Sequence, residues 1–228
     1  FQKYVPKDII NEFFTNPESM LKGDNRVLAV LFTDIRDFTA LSERLPPDEV
    51  VESLNQYFSL MVDTIMNRNG IVDKYMGDAI MAFFGAPIKR DDDALRSVHA
   101  ALDMTEALRD FNVWQRQRGR PEFRTGIGIN YGAVTLGNIG SEKKMDYTII
   151  GDMVNLGSRL EGLTKVYKQE VIFSESVFRK VREKIPCRMI DKVVVKGKTQ
   201  GEKIYIAALK LSDREQKAWL YHHKGLKH

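Results

Sequence analysis

The order of apolar segments along the chain is the feature that most limits its fold. A continuous apolar run at residues 27–32 indicates a buried strand. Apolar positions then recur at helical spacing between Pro47 and Gly70, where glycine is a plausible C-cap. Two short apolar strands at residues 71–75 and 80–84 follow, joined through Met76-Gly77-Asp78, which is a hairpin pattern.

The second half of the chain continues this alternation. A second amphipathic helix is predicted at about residues 92–118, and a second hairpin is predicted to turn at Tyr131-Gly132. A helix follows at residues 152–167, and the last strands are predicted near residues 171–173, 189–195 and 203–208. Strand, helix, hairpin, helix and two strands form the ferredoxin-like βαββαβ plan. We therefore predict an α+β fold with that core, an antiparallel sheet covered by helices, and extra C-terminal strands and helices.

Composition excludes some classes of protein. The single cysteine, Cys187, cannot form an internal disulfide, which fits a reducing compartment and a cytoplasmic domain. The longest apolar run is far too short to span a bilayer, and no signal peptide opens the chain. The net charge of +4 would suit nucleic acid or a small polyphosphate ligand, but a solvated mixed-charge surface is the favoured explanation. Nucleic-acid binding has only this basic character behind it and is not expected.

Two aspartates carry the first chemical signal. Asp34 ends an otherwise apolar strand, where an acid is costly to bury without a neutralising cation. Alone it could simply cap the following helix. Asp78 lies at the turn of the first hairpin, and in a ferredoxin-like sheet this hairpin lies beside the first strand. The two carboxylates are therefore predicted to meet at one end of the sheet, where oxygen ligands would suit Mg²⁺ or Mn²⁺.

Four segments now resemble, in order, the motifs of class III nucleotidyl cyclases. LFTDIRDFT at residues 31–39 resembles their first metal motif, and KYMGD at residues 74–78 resembles their second. Residues 147–159 resemble their signature segment, and VKGK at residues 195–198 resembles their late phosphate-contacting lysine motif. The similarity extends from about Phe1 to Leu209, and four motifs in order are far more specific than any one of them.

The resemblance implies a metal site and a purine-reading pair. Asp34, Asp78 and the Ile35 carbonyl match the ligands of two Mg²⁺ or Mn²⁺ ions. Lys74 and Thr148 match the pair that reads the purine. Lysine can donate to adenine N1 and a hydroxyl can accept from the N6 amino group, whereas guanine reverses this edge. Guanylyl cyclases typically carry Glu and Cys here, so ATP is the expected substrate, with cyclic AMP and pyrophosphate as products.

The resemblance also implies contacts to the rest of the nucleotide. Asn155 matches the residue that orients the ribose, and Arg159 matches the arginine that stabilises the transition state. Lys196 matches the lysine that contacts the terminal phosphates. Lys143 lies near the position where family members often have another basic residue that contacts phosphate. In family dimers the metal aspartates come from one protomer and the other residues from its partner. This chain holds both halves, which predicts a homodimer with two equivalent sites.

Three other functions are alternatives to an adenylate cyclase. A guanylate cyclase is the nearest, and Lys74 and Thr148 argue against it. A nucleotide-binding regulatory module without turnover is a second, and the complete set of site residues argues against that. A diguanylate cyclase is a third, but its Gly-Gly-Asp/Glu-Glu-Phe hairpin is absent, because the turn reads Met76-Gly77-Asp78-Ala79.

The predicted organisation has three parts. Residues 1–26 form a linker arm with a short helix after Pro6, residues 27–209 form the catalytic domain, and residues 210–228 form a polar tail. The chain begins with Phe1 rather than Met, so we expect a piece of a longer protein. The arm resembles the segment that joins class III cyclases to an N-terminal sensor or membrane domain. Light, bicarbonate, a small ligand and redox all stay open as the regulatory input.

Overall fold

A computed structural model describes residues 23–141, 143–194 and 201–225. Within these residues the chain forms eight strands and six helices. The strands are β1 (Asp24–Ile35), β2 (Ile71–Met76), β3 (Ala79–Phe84), β4 (Thr125–Ser141), β5 (Lys144–Ile150), β6 (Val171–Ser174), β7 (Cys187–Val193) and β8 (Glu202–Ala207). The helices are α1 (Phe38–Ser42), α2 (Pro47–Asn67), α3 (Asp93–Gln117), α4 (Asp152–Tyr167), α5 (Glu175–Val181) and α6 (Asp213–Gly225).

The strands form one mixed sheet in the order β2-β3-β1-β4-β6-β8-β7, with β5 paired to β4 outside this path. The strand β1 is central and runs antiparallel to both β3 and β4. The first four strands of the path, β2-β3-β1-β4, are the ferredoxin-like core, so the predicted α+β fold is confirmed. The additional strands β6, β8 and β7 extend the sheet on the side of β4, and only β6 pairs with β4 in parallel.

Both faces of the central strand are covered, which explains its unbroken apolar sequence. Residues 28–31 of β1 are fully buried, and side chains alternate between the two faces. Ala29 and Leu31 join a core formed with α2, α3 and α5. Leu28 and Val30 join a second core on the opposite face, which includes Ile149 of β5. The strands β4 and β5 therefore curl over this second face of the sheet.

The predicted second hairpin is wrong in its position. Tyr131 and Gly132 lie inside the 17-residue strand β4 and pair with Ala29 and Leu28 of β1, so the chain does not reverse there. Gly132 forms no turn here, and the space beside it does not require glycine, because an added Cβ would lie at an ordinary van der Waals distance, 3.4 Å, from Met153 of α4. The reversal comes ten residues later, after Ser141, and β5 returns along the end of β4.

Two glycines of β4 let helix α4 approach the sheet. A Cβ on Gly128 would lie 2.1 Å from the backbone nitrogen of Glu161, and a Cβ on Gly126 would lie 2.1 Å from the hydroxyl of Thr164. No side chain fits at either distance. Gly126 and Gly128 thus form a helix-packing site inside a strand.

The extra C-terminal helices of the predicted fold are α5 and α6, for which sequence periodicity gave no bounds. Helix α5 begins after Ser174, whose hydroxyl accepts a hydrogen bond from the Val177 amide as an N-cap. Helix α6 lies within the segment predicted as a polar tail, and its Trp219 packs against the core beside the guanidinium of Arg188, 5.3 Å from the ring centroid. The helix predicted after Pro6 lies outside the described residues. In the described part of the chain, no helix has the length and apolarity needed to cross a bilayer.

Candidate active site

The first cluster of interest is a pair of carboxylates at one end of the sheet. Asp34 is the penultimate residue of β1, and Asp78 lies at the turn between β2 and β3, directly after Gly77 with its positive φ of 68°. Because β1 pairs with β3, their carboxyl groups come within hydrogen-bonding reach of each other. The predicted meeting of these two acids therefore occurs within one chain.

The environment of Asp34 destabilises the negative charge of its carboxylate. Burial, the neighbouring carboxyl of Asp78 and the charge of Glu161 together raise the pKa of Asp34 to about 7. One of its carboxylate oxygens, Oδ1, is buried without a hydrogen-bond partner. The Ile35 amide opposes the shift by donating a hydrogen bond to the carboxylate. An acid so placed is stabilised either by a proton or by a cation.

These observations fit a divalent cation held by oxygen ligands. Asp34 and Asp78 would supply the carboxylates, and Ile35 ends β1 beside them. Among the described residues, no group of three or more His, Cys, Asp and Glu side chains forms a ready-made metal site. A cation held here would therefore need ligands beyond the two carboxylates, and substrate phosphates supply such ligands. Use of divalent metals is typical of class III cyclases.

Glu161 is a third acid near the pair that sequence reasoning missed. It lies on α4, where its pKa is raised by burial, with Arg36 opposing the shift and Asp78 adding to it. Its position follows from the small residues of β4, because a Cβ on Gly126 would lie 2.6 Å from Glu161 Oε1. Gly126 is the residue paired with Asp34. The only sequence signal for Glu161 was an acid on the inner face of a predicted helix. Such acids are common, so this signal does not indicate a site.

The second cluster joins the predicted purine-reading pair through an acid. The Thr148 hydroxyl donates a 2.6 Å hydrogen bond to Oδ2 of Asp73, and the Lys74 ammonium lies 3.9 Å from Oδ1. Thr148 reaches this position because β5 lies over the face of the sheet that holds Ile71. Thr148 and Asp73, which are 75 residues apart in sequence, are thus brought together. Asp73 is the link that sequence reasoning did not identify. Its signal was an acid next to Lys74 in a short apolar strand.

Asn155 and Arg159 lie together on helix α4 but away from the carboxylate pair. The inner face of α4 carries Gly157 and Glu161, with Gly157 packed against β1. At about 100° per residue, Asn155 lies roughly opposite Gly157, and Arg159 follows one turn later. Asn155 is exposed, and Nη1 of Arg159 is buried without a hydrogen-bond partner. One chain therefore does not bring these two residues to Asp34 and Asp78.

The two predicted phosphate-binding lysines have different outcomes. Lys143 is exposed at the turn between β4 and β5. Lys196 lies outside the described residues. The structure thus gives three separate groups on one chain: the carboxylate pair, the Asp73-centred cluster and the outer face of α4.

Comparison with known proteins identifies the family of this chain. Residues 22–208 match the model of the adenylate and guanylate cyclase catalytic domain. An adenylate cyclase of Anabaena cylindrica is 38% identical over 215 residues, which cover 90% of this chain and 42% of that protein. Adenylate cyclase 1 of Rhizobium meliloti is 34% identical over 206 residues, covering 90% of this chain and 31% of that protein. The chain therefore spans less than half the length of these curated relatives.

Solved structures give the same result. The adenylyl cyclase CyaB from P. aeruginosa superposes with a TM-score of 0.78 at 33% identity, covering 86% of this chain and 99% of that one. The guanylyl cyclase Cya2 superposes with a TM-score of 0.75 at 36% identity, covering 85% of this chain and 97% of that one. The chain belongs to the adenylate and guanylate cyclase catalytic domain family, that is, to the class III nucleotidyl cyclases.

Proposed function

We propose that this domain is an adenylate cyclase that converts ATP to 3′,5′-cyclic AMP and pyrophosphate in signal transduction. The observation that supports it most is that one chain holds both clusters, so that a symmetric dimer can bring the acid pair of one protomer to the Asp73-centred cluster of its partner. Asp34 and Asp78 form an acid pair that suits divalent cations, and Lys74 and Thr148 meet at one carboxylate, Asp73. The first cluster suits the triphosphate and the second suits a purine.

The choice of ATP over GTP rests on the residues and not on the relatives. Structures at similar identity include both an adenylyl and a guanylyl cyclase. The ammonium of Lys74 can only donate, which suits the unprotonated N1 of adenine. The hydroxyl of Thr148 already donates to Asp73, so its lone pairs are left to accept from the N6 amino group. Both features disfavour guanine and the guanylate cyclase alternative.

The proposed reaction is an in-line attack of the ribose 3′-hydroxyl on the α-phosphorus, with pyrophosphate leaving. Two Mg²⁺ or Mn²⁺ ions bound at Asp34, Ile35 and Asp78 would lower the pKa of that hydroxyl and neutralise the leaving charge. Asn155 is proposed to hold the ribose, so that attack becomes a positioned intramolecular event. Arg159 offers a fixed donor fork where negative charge develops, and its unpartnered Nη1 suits that role. Lys196 and Lys143 are proposed as phosphate contacts.

A symmetric homodimer is part of this proposal. Asn155 and Arg159 face away from the carboxylate pair of their own chain, so a site containing all four residues needs a second copy. Large apolar side chains also lie exposed on β5 and the adjoining end of β4: Ile139, Met145 and Ile150. Burial of such side chains stabilises an interface. Two-fold symmetry would then create two equivalent sites. The N-terminal sensor and the domain boundaries stay predictions.

Product analysis tests the proposal. The purified domain is incubated with ATP or GTP and with Mg²⁺ or Mn²⁺, and nucleotides and pyrophosphate are quantified separately. We expect cyclic AMP and pyrophosphate in equal amounts, with ATP preferred. A preference for GTP would establish the guanylate cyclase alternative. Nucleotide binding without product would establish a regulatory module.

A further inference from the structure

The carboxylate of Asp73 occupies an unusual position for an acid on a strand of a sheet. Its side chain is only 1% exposed, and it lies between the two residues proposed to read the purine. Oδ2 accepts the 2.6 Å hydrogen bond from the Thr148 hydroxyl. Oδ1 is buried without a hydrogen-bond partner and faces the Lys74 ammonium at 3.9 Å. Burying an acid in this way is costly unless its neighbours use the charge.

The hydrogen bond to Asp73 decides what Thr148 can do next. A threonine hydroxyl has one proton and two lone pairs, so it can serve either a donor or an acceptor on a ligand. An ionised carboxylate accepts only, so the Thr148 proton must point to Asp73. The hydroxyl then presents only lone pairs to a bound base. Adenine offers an amino donor at C6, whereas guanine offers a carbonyl acceptor, so only adenine is matched.

The same carboxylate acts on Lys74 through charge. The Lys74 side chain is 37% exposed and reaches Asp73 only at 3.9 Å, so its ammonium protons are still available to a ligand. The attraction nevertheless favours lysine conformers close to Thr148. A long, flexible side chain loses less entropy on binding when it is already restrained.

We propose that Asp73 is a specificity-determining positioning residue, which fixes Thr148 as a hydrogen-bond acceptor and holds Lys74 beside it. The inference rests on the proposed function in that the base is taken to be read by Thr148 and Lys74. Asp73 acts through these two side chains and does not itself touch the nucleotide.

The test replaces Asp73 by a near-isosteric amide. In Asp73→Asn the amide can donate to the Thr148 oxygen, which frees the hydroxyl proton to serve a guanine carbonyl. We expect the ratio of kcat/KM for ATP to that for GTP to fall about tenfold or more, in line with the value of one hydrogen bond. Asp146→Asn is the matched control, because Asp146 is an exposed acid on β5 whose charge also acts on Asp73. It removes a nearby charge without altering the Thr148 hydrogen bond, so its ratio should stay within twofold of wild type.

Repeating the Asp73→Asn substitution in a Thr148→Val chain shows whether its effect on the ATP-to-GTP ratio depends on the Thr148 hydroxyl. In Thr148→Val the hydroxyl is gone, so adding Asp73→Asn should change the ratio little further. An unchanged ratio in Asp73→Asn, or an equal fall with and without the Thr148 hydroxyl, would overturn the inference. If thermal melting shows that the Asp73→Asn variant is not folded, the variants Thr148→Ser and Thr148→Val are compared instead. Serine keeps the hydrogen bond and should keep the ratio, whereas valine should lose it, and equal ratios for the two would overturn the inference.

Equilibrium binding separates this inference from the proposed function. The same variants are titrated with α,β-methylene ATP and α,β-methylene GTP, and the ratio of the two Kd values is compared. A wild-type chain that binds the ATP analogue selectively but forms no cyclic product contradicts the cyclase proposal alone. A selectivity that Asp73→Asn leaves intact in both assays contradicts the role of Asp73 alone.

Discussion

Two acidic clusters on the same face of the sheet differ in how their charges are satisfied. Asp34 and Asp73 each have one carboxylate oxygen that is buried without a hydrogen bond, so the difference lies in their other neighbours. At the sheet end, the side chain of Asp34 has another acid, Asp78, as its hydrogen-bonding partner. Two strands away, Asp73 is more deeply buried but accepts a hydrogen bond from Thr148 and lies near a lysine. The first arrangement is incomplete without a cation, and the second is already organised before any ligand binds.

The difference indicates what each cluster contributes. An acid pair without a counter-charge lowers the free energy of unfolding. A protein retains such a pair where binding of a cation offsets the loss of stability. A carboxylate that is matched to a hydroxyl and an ammonium instead fixes the direction of donors and acceptors. The acid pair is therefore expected to control turnover, and the Asp73 cluster is expected to control which base is used.

Removing either member of the acid pair should have the largest effect. Asp34→Ala or Asp78→Ala should lower cyclase activity about a thousandfold or more, because a single carboxylate holds the cations poorly. Circular dichroism should show that the fold is retained, since neither side chain supports the core. Near-normal turnover with Mn²⁺ in either variant would contradict the metal assignment.

Mixing two inactive chains tests whether the carboxylates and the outer face of α4 meet across a dimer. Asp34→Ala and Arg159→Ala should each be inactive alone. In a mixed dimer both changes fall in one site, and the other site receives an intact Asp34 and an intact Arg159. With random exchange about half of the dimers are mixed, so activity should recover to roughly a quarter of wild type.

Two controls accompany the mixing experiment. Subunit exchange is measured with differently tagged chains, and specific activity should fall on dilution below the dimer dissociation constant. Absence of recovery despite exchange would mean that each site is built within one chain or that the two sites are interdependent.

The fold was largely predictable because its signals are local. The apolar run of β1, the helical spacing of α2 and the glycine of the first hairpin each specify one element. The turn predicted at Tyr131-Gly132 is wrong because these two residues pair with Ala29 and Leu28 of β1, a contact between distant segments that no local pattern reports. The same reasoning explains why Asp73 escaped notice. Its role appears only when β5 curls over the sheet and brings Thr148 to it.

The site residues were placed by motif resemblance rather than by physical derivation. Local sequence predicted that Asp34 and Asp78 would meet, because strand order follows from the βαββαβ plan. It could not show that Asn155 and Arg159 face away from them, since this depends on which face of α4 packs on β4. Small residues determine that face: Gly126, Gly128 and Gly157.

Reversing the base-reading pair should have a smaller effect than removing the acids. Lys74→Glu combined with Thr148→Cys should lower kcat/KM for ATP by roughly ten- to a hundredfold, since each lost hydrogen bond costs about 1–3 kcal/mol. Some use of GTP is expected, because the donor and acceptor edge is reversed. Competition between the two nucleotides gives the preference directly. A double variant that keeps the original preference would show that Lys74 and Thr148 do not read the base.

The smallest effect concerns stability without metal. Burial and the Asp78 carboxyl raise the pKa of Asp34 from 3.8 to about 7. The folded protein therefore holds this proton more tightly than the unfolded chain, and stability is lost as pH rises between these two values.

Asp78→Asn removes the like charge, so in a chelator at pH 8 it should stabilise the fold by about 1 kcal/mol or less, given partial exposure. The gain should shrink towards pH 4, where the Asp34 carboxyl is protonated and carries no charge to repel. Urea titration at the two pH values measures it, with Asp63→Asn on the exposed side of α2 as the matched control. Mg²⁺ should then stabilise the wild-type chain more than Asp78→Asn. A destabilised Asp78→Asn in chelator would mean that the acid pair already has a compensating partner in the folded chain, and the contrast with Asp73 would fail.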